Sequence, residues 1–563
     1  MRLQFFRPFL FFILTLLCFN AAASTKTVTL YGLFETAVYS EKKYNNPFDY
    51  TEVSFDAQFT SPEQQTFNIS GFYDGKNEQG AGIWKIRFMP HLAGSWRYEI
   101  KDSSGATVQS GEFTVTDKPA HTGNHGHVKV DAQHPRYLIH DDGSAHFWIG
   151  GKWISAKDYG PKSKGGQINK GLDRRVNVTH GHKSDQQLLD YLDLLAEYKH
   201  NGILLKIAQY PLEDDRLSWD LSWIQRGEWL VEEALKRGIY VQVNMFDTWS
   251  RDKNQYFENK MPGAEQLFDV WNDGDDKYKK NYLRTIISRF SAYANVYWEL
   301  GNEMDHPPNC GQCFVKLANE KYLPWIRQYD PYQLPIGLSE GIWRSADVDI
   351  GFLHQTNELP DESMKRPVIM NEPVRYDLEI SFLEKVWRKL SGNKLHTGLW
   401  HDEAINNPDL RFTYRRTFWN VFTRGGSGSS EATWLDIYKE PSRAVRNVMQ
   451  DHMQLSILID EIRPILNEMY PQQNFIRSGN ANEKISTRGN PSFYVSYFDA
   501  GYKKTMKAQT VNITPLAANY LASWLNPETG ELVAEHKLAR GSEQLERPEY
   551  FQDLVLLLKR QAG

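Results

Sequence analysis

From about residue 128 to residue 455, short apolar runs alternate with amphipathic stretches at helical spacing. Strands fed by helices in strict alternation build a parallel sheet with its helices outside. The strand-like runs are His146-Phe-Trp-Ile-Gly-Gly151, Gly202-Ile-Leu-Leu-Lys-Ile-Ala208, Ile239-Tyr-Val-Gln-Val-Asn-Met245 and Asn295-Val-Tyr-Trp-Glu-Leu-Gly-Asn-Glu303. Leu334-Pro-Ile-Gly-Leu338, Ile350-Gly-Phe-Leu-His354 and Pro367-Val-Ile-Met370 follow, and Gly425 to Trp434 holds an eighth. The helical segments between them include Asp185 to Tyr198, Trp223 to Arg237 and Tyr278 to Tyr293. Eight such units predict a closed (β/α)8 TIM barrel rather than an open sheet.

Residues 27–117 instead show short period-two runs with turn signals between them, such as Tyr50-Thr-Glu-Val-Ser-Phe-Asp-Ala-Gln-Phe59 and Ser110-Gly-Glu-Phe-Thr-Val115. That spacing predicts an N-terminal β-sandwich. β character returns after the barrel in Ser492-Phe-Tyr-Val-Ser-Tyr-Phe498, Thr510-Val-Asn-Ile-Thr514 and the strand-turn-strand Trp524-Leu-Asn-Pro-Glu-Thr-Gly-Glu-Leu532. The expected organisation is therefore a leader over 1–23, a sandwich over 24–120, a barrel over 128–460 and a small β-domain over 465–563. The tract His121-Thr-Gly-Asn-His-Gly-His127 reads as a solvated linker between the first two folded units.

Arg2 and Arg7 flank the apolar run Phe9-Leu-Phe-Phe-Ile-Leu-Thr-Leu-Leu17, and Ala21-Ala-Ala-Ser24 follows. This is the pattern of a cleaved secretory leader. The run is too short for a stable membrane anchor, so the mature chain is expected in the periplasm or outside the cell. Once the leader and its Cys18 are removed, Cys310 and Cys313 remain, and in an oxidising compartment they are expected to pair as a local disulfide. A zinc site would need two further ligands and has only His306 nearby, so no metal and no cofactor is expected. A net charge of -5 gives no reason to expect nucleic acid as a partner.

The chemistry concentrates at the ends of two strands. Active sites of such barrels lie at the C-terminal strand ends. Asn302-Glu303 ends the fourth run and Asn371-Glu372 follows the seventh. Strands four and seven lie across the barrel mouth from each other, so the two carboxyl groups can converge. Retaining glycosidases use such a pair about 5–5.5 Å apart.

The Asn-Glu at the end of a fourth strand resembles the acid/base signature of clan A glycoside hydrolases. The runs Phe67-Asn-Ile-Ser-Gly-Phe-Tyr73 and Trp84-Lys-Ile-Arg-Phe-Met-Pro90 resemble an immunoglobulin-like module that precedes bacterial glycosidase barrels, and Trp524 to Leu532 resembles the small β-domain that follows them. The resemblance implies hydrolysis of a glycan, with Glu303 as acid/base, Glu372 as nucleophile and Asn302 on the sugar 2-hydroxyl. His354 resembles a mouth histidine of the clan, and Trp434 is the candidate for its tryptophan after strand eight. Trp153, Gln209, Asn244, Asp247 and Trp249 lie at or just past strand ends, where they could contact sugar. Glu340 and Glu358 rank behind Glu372 as nucleophile, since neither follows an apolar strand as directly. Lys152, Lys206 and Arg375 would suit an acidic polysaccharide. Two other classes stay open: a binding protein on an inactive barrel, and a polysaccharide lyase.

Overall fold

The computed structural model describes residues 26–154, 184–207, 217–247, 275–305, 310–354, 359–361, 363–371, 408–429, 443–480 and 482–561. Eight parallel strands close into a barrel. They are β1 (Ile149–Ile154), β2 (Gly202–Lys206), β3 (Tyr240–Asp247), β4 (Val296–Asn302), β5 (Ile336–Ser339), β6 (Ile350–Leu353), β7 (Val368–Met370) and β8 (Ser427–Ser429). β8 pairs back onto β1 through Ile149 and Gly150, so the sheet has no free edge.

The first strand starts later than the apolar run suggests. Ala145 and His146 pair antiparallel with Leu138 and Ile139, in a three-stranded sheet that also contains residues 128–130. Antiparallel pairing claimed the start of that run before the barrel could use it.

Alternation along each barrel strand separates two environments. Val241, Val243, Val296, Trp298, Leu300, Leu353 and Val368 pack outward against the helices. Leu204, Tyr240, Tyr297, Ile350, Phe352 and Ile369 point inward and gather around Trp148. Gly150 and Gly202 make room for that indole, because a Cβ at either would stand 1.9 or 2.0 Å from its ring. Val128 and Leu138 of the three-stranded sheet join the same cluster, so this sheet closes the N-terminal end of the barrel.

The N-terminal region forms sheets of five and three strands. Their shared core is aromatic, with Phe34 stacked on Phe113 at 4.0 Å and Phe59 on Phe88 at 4.3 Å between centroids. Two expected runs are shortened or divided. Of the run Tyr50 to Phe59, only the part from Phe55 onward is strand, in Phe55–Thr60. Phe67 to Tyr73 becomes two strands separated at Gly71, where a Cβ would stand 2.4 Å from the Phe55 carbonyl.

The sandwich is fixed to the barrel by buried charge. Glu228, on helix Leu221–Leu235, accepts hydrogen bonds from Arg87 of the sandwich at 3.0 Å and from Arg289 of helix Asp276–Phe290 at 2.5 Å. Arg289 also binds Asp74 of the sandwich at 2.6 Å. The linker between the two units is not the solvated tract expected. His127 is buried, its Nε2 lies 2.9 Å from the Ser291 carbonyl, and its ring packs on Tyr332. Asn124 is buried as well and donates to the Tyr31 carbonyl.

Residues 470–560 form a six-stranded antiparallel sheet with two smaller sheets beside it. The hairpin predicted around Asn526 is present as strands Tyr520–Leu525 and Leu532–Leu538. Arg415, on the barrel helix Pro408–Thr423, joins this region through two hydrogen bonds to Asp553 at 2.8 and 2.9 Å, and also bonds Asp451 of helix Arg443–Ile462 at 2.9 Å. Among the described residues no helix is long and apolar enough to cross a membrane.

Candidate active site

The C-terminal ends of β4, β5 and β6 bring together Glu303, Glu340 and His354. Asn302 is the last residue of β4 and is buried. Glu303, also buried, follows with a φ of 52°, which turns the chain sharply off the strand. A non-glycine residue in this region is uncommon and is found where the surroundings over-determine it. The restraint comes from β5. The Ser339 hydroxyl accepts the Glu303 amide at 2.8 Å and donates to the Gly301 carbonyl at 3.1 Å. Gly301 must be small, since a Cβ there would stand 2.5 Å from the Met304 side chain.

β5 ends in the same way one residue later. Glu340 has φ 62° and ψ -174°, a conformation that is essentially a glycine property. It precedes the short 3-10 helix Gly341–Ser345, yet its side chain makes no capping hydrogen bond there. The carboxylate turns instead toward His354, whose Nδ1 stands 3.2 Å from Glu340 Oε1 and 3.5 Å from Glu303 Oε1. The imidazole is 3% exposed, so it meets these two acids in a poorly hydrated environment. The ligand atoms of the three side chains lie within 4.8 Å of one another. The imidazole Nδ1 therefore faces two carboxylates.

Asp305 adds a fourth titratable group. Burial pushes its carboxyl up to about 6, and the charges of Glu340 and Glu303 push in the same direction. The disulfide between Cys310 and Cys313 forms as expected, at the start of helix Gly311–Leu317. Gly311 lies directly against the Asp305 loop, since a Cβ on it would stand 2.6 Å from Asp305 Cβ.

The barrel interior beneath is polar. Asn244 of β3 donates to the Phe246 carbonyl at 2.8 Å and to Glu299 of β4 at 3.1 Å. It is fully buried, so the structure gives this expected sugar contact an internal role below the rim. Lys206 of β2 is also buried and pairs in register with Asn244. Asn371, just past β7, is 1% exposed, and neither atom of its side-chain amide has a hydrogen-bond partner among the described residues. A buried amide in that state calls for a partner that the described residues do not supply.

Ser339 and Asp305 were not among the expected site residues, and Glu340 stood behind Glu372. The available signal was Ser339-Glu340 at a strand end, a small polar residue followed by a glutamate, which parallels Asn302-Glu303 one strand earlier. For Trp153 and Lys152 the structure gives strand backbone only, and for Asp247 likewise. Glu372, Gln209, Trp249, Glu358, Arg375 and Trp434 lie outside the described residues, as does the leader.

Residues 173–365 match the cellulase family, glycosyl hydrolase family 5, and residues 27–103 match DUF5060, a domain of unknown function. No curated protein matches the chain. Among solved structures, a candidate glycoside hydrolase from Bacteroides vulgatus aligns with a TM-score of 0.63 at 14% identity, covering 95% of this chain and 100% of its own. A glycoside hydrolase family 5 protein from the same species aligns with a TM-score of 0.53 at 14% identity, covering 78% and 94% respectively. At such identity these two show the fold. The family 5 match lies within the barrel and, with the barrel and its flanking β-regions, supports a glycoside hydrolase. That match takes in Asn302, Glu303, Glu340 and His354 and ends before Glu372.

Proposed function

We propose that the protein hydrolyses a poly- or oligosaccharide with retention of anomeric configuration, Glu303 serving as acid/base and Glu372 as nucleophile. The observation that carries this reading is the setting of Glu303. Its backbone is clamped by Ser339, and its carboxyl group faces His354 and Glu340 at the strand ends of a (β/α)8 barrel. An acid/base needs its proton at working pH, and nearby carboxylates with little water favour the protonated form. Glu372 follows Asn371 at the end of β7, as Glu303 follows Asn302 at the end of β4. The Asn371 amide, without a hydrogen-bond partner among the described residues, supports a hydroxylated ligand at that position.

In the first half-reaction, Glu372 attacks the anomeric carbon while the Glu303 proton passes to the leaving oxygen. In the second, Glu303 takes a proton from water as that water displaces Glu372. The N-terminal leader and the disulfide support action outside the cytoplasm.

The test is turnover of a panel of neutral and uronic polysaccharides by wild type, Glu303→Gln and Glu372→Gln, with product anomers followed by NMR. The expected result is a loss of at least a thousandfold in each variant and retained configuration in the wild-type product. Full activity in both variants, or an inverted product, overturns the reading. The uronic members of the panel address an acidic substrate, for which Lys206 is the described cation. An unsaturated product absorbing in the ultraviolet would identify a lyase.

A further inference from the structure

Glu340 is the feature that the proposed mechanism leaves unexplained. Its backbone is held where glycine belongs. Its carboxylate caps nothing in the helix that follows. What the conformation achieves is to bring Oε1 to 3.2 Å from His354 Nδ1, slightly nearer than Glu303 Oε1 at 3.5 Å.

We propose that Glu340 is a positioning residue for Glu303, its charge beside His354 and Glu303 keeping Glu303 protonated until the glycosidic bond breaks. The inference rests on the acid/base reading of Glu303. Two effects act in the same direction. A second negative charge close by makes ionisation of Glu303 harder, and an imidazole engaged with Glu340 offers less to a Glu303 carboxylate. Once Glu303 has given its proton to the leaving oxygen, it carries the charge, and the same imidazole can turn to it. When Glu303 recovers a proton from the attacking water, the arrangement resets. No proton is gained or lost over the cycle.

Among the described residues, the charged groups around Glu303 are compatible with this. Asp305 stands on its own loop, Glu340 comes from β5 and His354 from β6. Glu299 and Lys206 lie deeper in the barrel on β4 and β2. Asp305, its carboxyl raised by burial and then by Glu340, belongs to the same cluster. More than one proton therefore titrates here, so the cluster is read best by removing one charge at a time.

The test compares wild type with Glu340→Gln, which keeps the shape and removes the charge, and with Glu340→Gly, which also suits the backbone. The first readout is the pH profile of kcat/KM on whichever glycan of the panel is turned over. The second needs no substrate: a carbon-13 titration of labelled glutamate side chains, with the Glu303 signal identified by its loss in Glu303→Gln. Removal of Glu340 is expected to move the alkaline limb and the Glu303 titration down by about one pH unit, with activity at the acidic optimum within about threefold. A Glu303 titration that stays in place or moves up overturns the proposal. Loss of activity at every pH in both folded variants also overturns it, because Glu340 would then act in the chemistry directly. If Glu303→Gln retains full activity, the acid/base reading fails on its own, while the carbon-13 titration still reports whether Glu340 controls the Glu303 proton.

Discussion

The Ser339 hydroxyl spans two strands at once, accepting the Glu303 amide and donating to the Gly301 carbonyl. It is fully buried. Ser339→Ala would leave one backbone donor short of its partner, at a cost of about 1–3 kcal/mol. Because the clamp sets the angle of Glu303, kcat is expected to fall about tenfold with little change in KM. Thermal unfolding and steady-state kinetics on the same samples check both parts. An unchanged kcat in a destabilised protein would mean that the hydroxyl supports the fold alone.

Asp305 predicts a definite pH dependence. Its folded carboxyl, raised to about 6 by burial and by Glu340, holds a proton more tightly than it does in the unfolded chain, where the value is about 3.9. The contribution of this proton to stability is therefore fully present below the unfolded value and is lost as pH rises through about 6. Asp305→Asn has no such proton to lose. It is expected to match wild type near pH 4 and to melt at a higher temperature than wild type near pH 8. Melting curves across that range provide the check.

Breaking the disulfide should act locally. A loop closed across Cys310 and Cys313 is worth about 2 kcal/mol in the chain-entropy model. The double variant Cys310→Ser, Cys313→Ser should melt lower and show faster amide exchange from Glu303 to Leu317, because Gly311 packs on the Asp305 loop. Exchange in the sandwich strands should not change.

Glu228 answers two buried guanidinium groups, Arg87 and Arg289. Glu228→Ala would leave both without their shared acid, and removing one partner of a buried pair costs about 3–5 kcal/mol. The expected outcome is a sandwich that separates from the barrel under mild denaturant. Protease sensitivity of the segment 116–127 is the measurement.

The barrel was legible because its strands are buried on both faces and so read as nearly unbroken apolar runs. Tyr240 to Asp247 and Val296 to Asn302 show this most clearly. The disulfide and the placing of His354 at a strand end were legible for similarly local reasons. What could not be read depends on a neighbouring strand. Nothing within Ile336 to Ser339 says that the serine will grip β4, and nothing around Glu340 announces a φ of 62°. His127 misled because a run of His, Gly and Asn looks solvated until Ser291 and Tyr332 are folded against it. Composition describes a segment, whereas burial describes what the rest of the chain does to it.

Trp148, resting in the gaps left by Gly150 and Gly202, has a consequence for traffic through the molecule. With the small antiparallel sheet beneath it, it makes the barrel a cup with a solid base. A sugar chain cannot run through such a barrel along its axis. Whatever binds at the strand ends must arrive across the rim and leave by the same side.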